Sequence, residues 1–94
     1  MSTTCFLIED EFHAEHISVH DSLADATREL RRLAEIPWDQ KPNRPPCTSW
    51  RTCHRSYEVI EYDTTSRPWE ERQRLPALNV SSLKVEWEAG FAAD

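Results

Sequence analysis

Glycine is nearly missing from this chain: one in 94 residues, Gly90. Sites that wrap backbone around a phosphate or an oxyanion lean on glycine, so this scarcity excludes a phosphate loop, a dinucleotide fingerprint and a Gly-x-Ser-x-Gly elbow. No His-Glu-x-x-His motif occurs either. No run of 18 apolar residues is present, which excludes a hydropathy-defined membrane helix. The opening "MSTTCFLIEDEF" has neither a basic start nor a long apolar stretch, so it does not read as a secretory signal. The expectation is a cytoplasmic protein with no membrane contact. Cysteine is scarce and odd in number, at three. That fits poorly with a fully paired disulfide framework, and a reducing compartment would keep thiols free.

What the chain does hold is enough for one folded domain spanning 1–94. Apolar residues make up 38% and aromatics 10%. A chain of this size buries about 60–65% of its unfolded surface, enough for one modest core but not for an interdomain cleft. The net charge is −6, and it is segregated. Residues 1–27 carry six acids and no Lys or Arg, residues 28–55 carry seven bases against three acids, and residues 56–94 carry four bases against eight acids. An acidic balance argues against direct nucleic-acid binding, which needs Lys and Arg to neutralise phosphates. It suits ordinary solvation, or competition for another protein's basic surface.

The periodicity predicts strands at "CFLIED" and "EHISVH", joined as a hairpin through "DEFHA". Leu23, Ala26, Leu30, Leu33 and Ala34 fall on one helical face, so a helix is expected over about residues 22–35. Ser22 caps its start, with Asp25 completing a variant capping box, and Pro37 ends it. Residues 37–54 form a long loop with four of the six prolines, which restrict it. Trp38 and Trp50 are expected to dock its ends. "RSYEVIEYD" reads as a central strand, with Tyr57 and Val59 on one face and Ile60 and Tyr62 on the other. "TTSRPWEERQRLP" reads as a polar connection with a helical turn at Pro68–Arg74. Leu78, Val80, Leu83, Val85 and Trp87 mark one or two final strands, and about 89–94 a loose tail. The fold class is α+β: a two-layer sandwich with about four antiparallel strands in the order β-β-α-β-β and one helix on one face.

The densest chemistry is "RPPCTSWRTCHR", residues 44–55. As a zinc site it is poorly spaced: five residues separate Cys47 from Cys53, and His54 points away from its neighbour on an extended backbone. His13, His16 and His20 could add ligands, which keeps a Cys/His metal-binding protein as a lesser alternative. A Cys47–Cys53 disulfide would stabilise by about 2–3 kcal/mol, but the compartment argument opposes it. As a nucleophile Cys53 has Arg51 and Arg55 beside it, yet no base or oxyanion hole is legible. His13 and His16 read as surface residues of the hairpin, and Cys5 as a small apolar filler.

The reading that results is a small acidic protein-binding module that is not an enzyme and uses no cofactor. Its partner is another protein. Its contact residues are Trp38, Trp50, Arg51, Arg67 and Trp69, since Trp and Arg are enriched at interface centres and a stiff loop loses less entropy on binding. In size, acidity and lack of catalytic motifs the chain resembles many phage-encoded inhibitors of host defence, a likeness of composition. The alternative is therefore a nucleic-acid mimic, with Glu9, Asp10, Glu11, Glu15, Asp21 and Asp25 standing in for phosphates before a basic nucleic-acid-binding protein. A sheet edge could also pair between subunits as a homodimer.

Overall fold

The structure, a computed structural model, describes residues 3–46, 53–88 and 91. Among these the chain forms β1 (Thr4–Asp10), β2 (Glu15–His20), α1 (Leu23–Glu35), β3 (His54–Asp63), β4 (Glu70–Ser81) and β5 (Val85–Trp87). The strands make one antiparallel sheet in the order β2-β1-β3-β4-β5. The α+β class and the helix match expectation, but there are five strands and not four.

The β1–β2 hairpin turns without glycine, and Ala14 carries the left-handed backbone instead, at φ 53°. Ile17 is a bulge: Ile8 pairs with Ser18 and the next residue, Glu9, pairs with His16. The extra residue lets Ile17 reach the core while Glu9 and His16 stay opposite each other.

Helix α1 begins where its sequence dictates. Ser22 is the N-cap and its hydroxyl accepts the Asp25 N–H at 3.1 Å. The reciprocal half of the expected capping box is not what Asp25 does, as its carboxylate takes Arg28 at 2.9 Å. Ala26, Leu30 and Leu33 are fully buried against the sheet. Full burial of a leucine contributes about 1.5–3 kcal/mol, so this stripe is what fixes the helix to its layer.

The helix-facing side of the sheet contributes Ile8, Tyr57, Val59, Leu78 and Val80 to the same cluster. On β1 and β3 the alternation is regular, so the opposite side carries Cys5, Leu7 and Glu9 paired with Tyr62, Ile60 and Glu58. No helix covers that side among the described residues.

The largest correction falls on residues 68–74, expected as a connection with a helical turn. Strand β4 begins at Glu70 and runs for 12 residues. Its charged start carries no hydrophobic signal because it is held by the backbone ladder to β3 and by polar side-chain contacts: Arg72 with Asp63, Gln73 with Glu61 and Arg74 with Glu58. Two residues, Arg72 and Ala77, are skipped in the pairing. Those bulges break the period-2 pattern by which the strand would have been recognised. Pro76 is tolerated because β5 pairs only with Leu78–Val80, which leaves β4 an edge strand at Pro76.

The proline-rich loop is anchored by a residue that its aromatics overshadow. Asn43 is buried, and its amide donates to the carbonyls of Leu33 and Ile36, both at 2.8 Å. Both lie at the helix C-terminus, where carbonyls lack a full set of intrahelical donors, and Leu33 O also accepts the Ile36 N–H at 3.1 Å. Tyr57 in turn donates its hydroxyl to Asn43 Oδ1 at 2.7 Å. Trp38 packs half-buried on the core, consistent with docking one end of the loop. Trp50 lies outside the described residues. Of the tail, Phe91 is described, and it too packs on the core rather than hanging loose.

Candidate functional site

Two places concentrate chemistry. The first is at the end of the sheet where β1, the hairpin turn and the start of β3 converge. Asp10 is completely buried there. Its Oδ1 accepts the backbone N–H of Phe12 at 3.1 Å and of Ser56 at 3.0 Å. Its Oδ2 accepts Arg55 Nη1 at 2.9 Å and His13 Nδ1 at 2.5 Å. Four donors thus converge on one buried side chain. Arg55, itself buried, also reaches Glu15 at 2.5 Å and donates to the Arg44 carbonyl at 3.0 Å. Burial would lower the Arg55 pKa, but the hydrogen bonds to Asp10 and Glu15 outweigh it and hold the group above its ordinary value.

His13 sits between this hub and sulfur. Its Nε2 lies 3.3 Å from Cys53 Sγ. Phe12 closes the ring edge-on and stacks in turn on His54 at 4.4 Å. Cys53 is disulfide-bonded, against the expectation of free thiols. Cys47, the other cysteine of that stretch, lies outside the described residues. Cys53 also lines a groove of about 580 Å³ together with Asn79, Val80, Ser81, Leu83 and Lys84. Cys5, by contrast, is a free buried thiol, and burial pushes its pKa up, as befits a filler.

Two expectations are corrected here. His13 is not a surface residue of the hairpin: its side chain is 12% exposed, against 66% for His16. Asp10 cannot stand in for a phosphate, because it is sealed beneath Arg55 and His13. Sequence reading missed the Asp10–His13–Cys53 grouping because 40 residues separate His13 from Cys53. The available signal was Asp10-x-x-His13 across a hairpin turn, a spacing that folds two side chains together.

The second place is the side of the sheet without a helix, where Cys5, Leu7, Ile60 and Glu58 are nonetheless buried. Arg74 gathers three carboxylates: Glu58 at 2.6 Å, Glu71 at 2.8 Å and Glu9 at 3.3 Å. Glu9 also meets His16 at 3.0 Å. Hydrogen bonds to Glu71 and Glu58 hold Arg74 above its ordinary pKa. Glu58 is buried, and burial pushes its carboxyl up while Arg74 opposes the shift. Beside these charges stand Trp69, 46% exposed, and Val19, 56% exposed. The Trp69 ring lies 6.1 Å from that of Tyr62.

The contact residues expected from sequence are not assembled into one patch. Trp38 is half-buried near the helix end, on the opposite side of the sheet from Trp69. Arg67 is exposed just ahead of Trp69. Trp50 and Arg51 lie outside the described residues. The six acids are scattered likewise: Glu9 faces the uncovered side, Asp10 is internal, Glu15 pairs with Arg55, Asp25 pairs with Arg28, and Glu11 and Asp21 are exposed. Among the described residues no group of three His, Cys, Asp or Glu is arranged to hold a metal ion, and no helix is long and apolar enough to cross a membrane. No family model matches the chain, and comparison with curated proteins and with solved structures found no match.

Proposed function

We propose that this protein is a binding module that acts without catalysis, and that its contact surface is formed by the exposed side chains around Trp69, Tyr62 and Val19 on the sheet side without a helix. The observation that carries this reading is the exposure of Trp69 beside Tyr62 on a sheet side left without a helix. A large exposed aromatic next to a second ring is the kind of anchor that dominates binding energy at interfaces. The surrounding charge defines the partner. Glu9, Glu58 and Glu71 outnumber Arg74, and the whole chain carries −6. The partner is therefore a protein that offers an apolar contact ringed by Lys and Arg, which is also how a basic nucleic-acid-binding protein would be met.

The test compares wild type with Trp69→Ala and Glu71→Lys in affinity capture from the native host, followed by titration of the purified partner. Trp69→Ala should weaken binding at least tenfold at every salt concentration. Glu71→Lys should weaken it mainly at low salt, since exposed charges are screened. A partner bound equally well by Trp69→Ala would refute this surface and return attention to Trp50 and Arg51.

A further inference from the structure

We infer that strand β2 is a dimerisation edge, along which a second copy of this chain pairs antiparallel about a two-fold axis at the Ile17 bulge. The occupant is the chain itself, so the inference does not depend on the binding role.

Among the described residues β2 ends the sheet and pairs on one side only, with β1. Its outward N–H and C=O groups offer a template to another strand. Edges are commonly guarded by Lys, Pro, charge or shortness. The far end of the sheet is guarded in this way. There the free start of β4 carries Glu70, Glu71, Arg72, Arg74 and Pro76, and β5 is three residues long. Strand β2, with the sequence EHISVH, has no Lys, Arg or Pro. Its one irregularity is the bulge, and the bulge selects the partner.

Pairing with β1 places each residue of β2 on one side of the sheet. Glu15, Ser18 and His20 lie opposite Asp10, Ile8 and Phe6, and they share the helix side with Ile17. His16 and Val19 lie opposite Glu9 and Leu7, on the side without a helix. Outward from the bulge, the same succession of sides is met in both directions. A regular strand has to pass over one residue of β2, as β1 passes over Ile17. A second copy carries the same extra residue and passes over none. About a two-fold axis between Ile17 and Ser18, Glu15 of one copy lies opposite His20 of the other, His16 opposite Val19, and Ile17 opposite Ser18. Both members of every pair lie on the same side. A slip of one residue would set Val19 against a helix-side residue and break that match. The symmetry makes each pair twice.

The pairs also fit chemically. Glu15 is 44% exposed, and its carboxylate meets an imidazole, which carries an N–H in either protonation state. Val19 and His16 are the exposed side chains of β2, and each covers the other across the two-fold axis.

The experiment follows the full chain by sedimentation velocity from micromolar to millimolar concentration. Wild type should pass from monomer to dimer as its concentration rises. Val19→Lys puts a charge on the edge and should weaken self-association at least tenfold, while a circular-dichroism melt shows that it is folded. Trp69→Ala should dimerise as wild type does, which separates this edge from the surface around Trp69. The register is tested by oxidising His16→Cys and Val19→Cys separately and as a mixture, with cross-links read by peptide mapping. The mixture should give a heterodimer joined through the two introduced thiols, at least tenfold more abundant than a homodimer of either variant alone. A wild type that stays monomeric at millimolar concentration would overturn the assignment. So would a dimer that Val19→Lys leaves intact or Trp69→Ala dissolves, or introduced thiols that link as readily within one variant.

Discussion

The Tyr57 hydroxyl on the central strand and the Asn43 side chain in the proline-rich loop share a hydrogen bond of 2.7 Å. Asn43 passes the connection on to the last carbonyls of the helix. One buried amide therefore ties together sheet, loop and helix end. Burial holds the Tyr57 phenol well above its ordinary pKa, so it stays a neutral donor throughout the physiological range.

Asn43→Ala removes that tie: the Ile36 carbonyl loses the Asn43 donor, Leu33 O keeps the Ile36 N–H, and the Tyr57 hydroxyl keeps only the long 3.4 Å contact to the Pro42 carbonyl. Leaving buried polar groups unpaired costs about 1–3 kcal/mol. We expect a loss of about 2 kcal/mol in urea unfolding, and about 1 kcal/mol for Tyr57→Phe. A double-mutant cycle should show the two to be coupled. Additive losses would show that the hydrogen bond is not a shared element.

Asp10 is the most consequential carboxylate in the molecule. Asp10→Ala leaves Arg55 buried without its main counter-charge and should cost about 3–5 kcal/mol. Glu15 pairs with the same guanidinium but is 44% exposed, so Glu15→Ala should cost no more than about 1 kcal/mol. Urea midpoints rank the two, and equal losses would contradict the hub.

Arg74 makes a pH prediction. Glu58 is held above its ordinary value of 4.5, chiefly by burial. A carboxyl with a raised folded-state pKa binds its proton more tightly when folded. Its contribution to stability therefore falls as pH rises from 4.5 through the folded value. Arg74 limits that loss. In Arg74→Met the stability deficit against wild type should be small near pH 4.5 and grow towards pH 7. A pH-independent deficit in urea unfolding would show that Arg74 does not serve Glu58.

Asp63 has the opposite sign. Hydrogen bonds from the Thr65 hydroxyl and N–H, together with Arg72, lower its pKa below 3.8. Its contribution is complete above 3.8 and disappears as pH falls through the folded value. Asp63→Asn should melt below wild type at pH 6, and the gap should close as the pH drops below 3.8. A gap that persists in acid would sink this account.

Ala14 takes φ 53° in a hairpin turn built without glycine. A left-handed residue with a Cβ costs about 1–2 kcal/mol, and glycine loses about 0.5–1 kcal/mol of that advantage to entropy. Ala14→Gly should raise stability by about 0.5 kcal/mol, visible as a higher urea midpoint. A lower midpoint would mean that the turn is not strained.

What could be read from residues alone was local. Ser22, the Leu30–Leu33 stripe and Pro37 determine a helix because capping, a 3.6-residue period and a fixed φ act within a few residues of one another. Tyr57, Val59 and Ile60 determine a central strand because β-branched and aromatic side chains fill both sides of a pleat. Neighbours far along the chain decided the rest. Strand β4 exists because its backbone pairs with β3 and Arg72, Gln73 and Arg74 find partners there, while its bulges hide the alternation. His13 has its partners only because the hairpin turn and the start of β3 meet at one end of the sheet, bringing Cys53 to it across 40 residues. Asp10 reads as one of six surface acids until Arg55, 45 residues away, is folded onto it. Hydrophobic period and capping are written within one turn or one strand, whereas the pairing of charges and sulfur depends on register and topology, which only the folded chain decides.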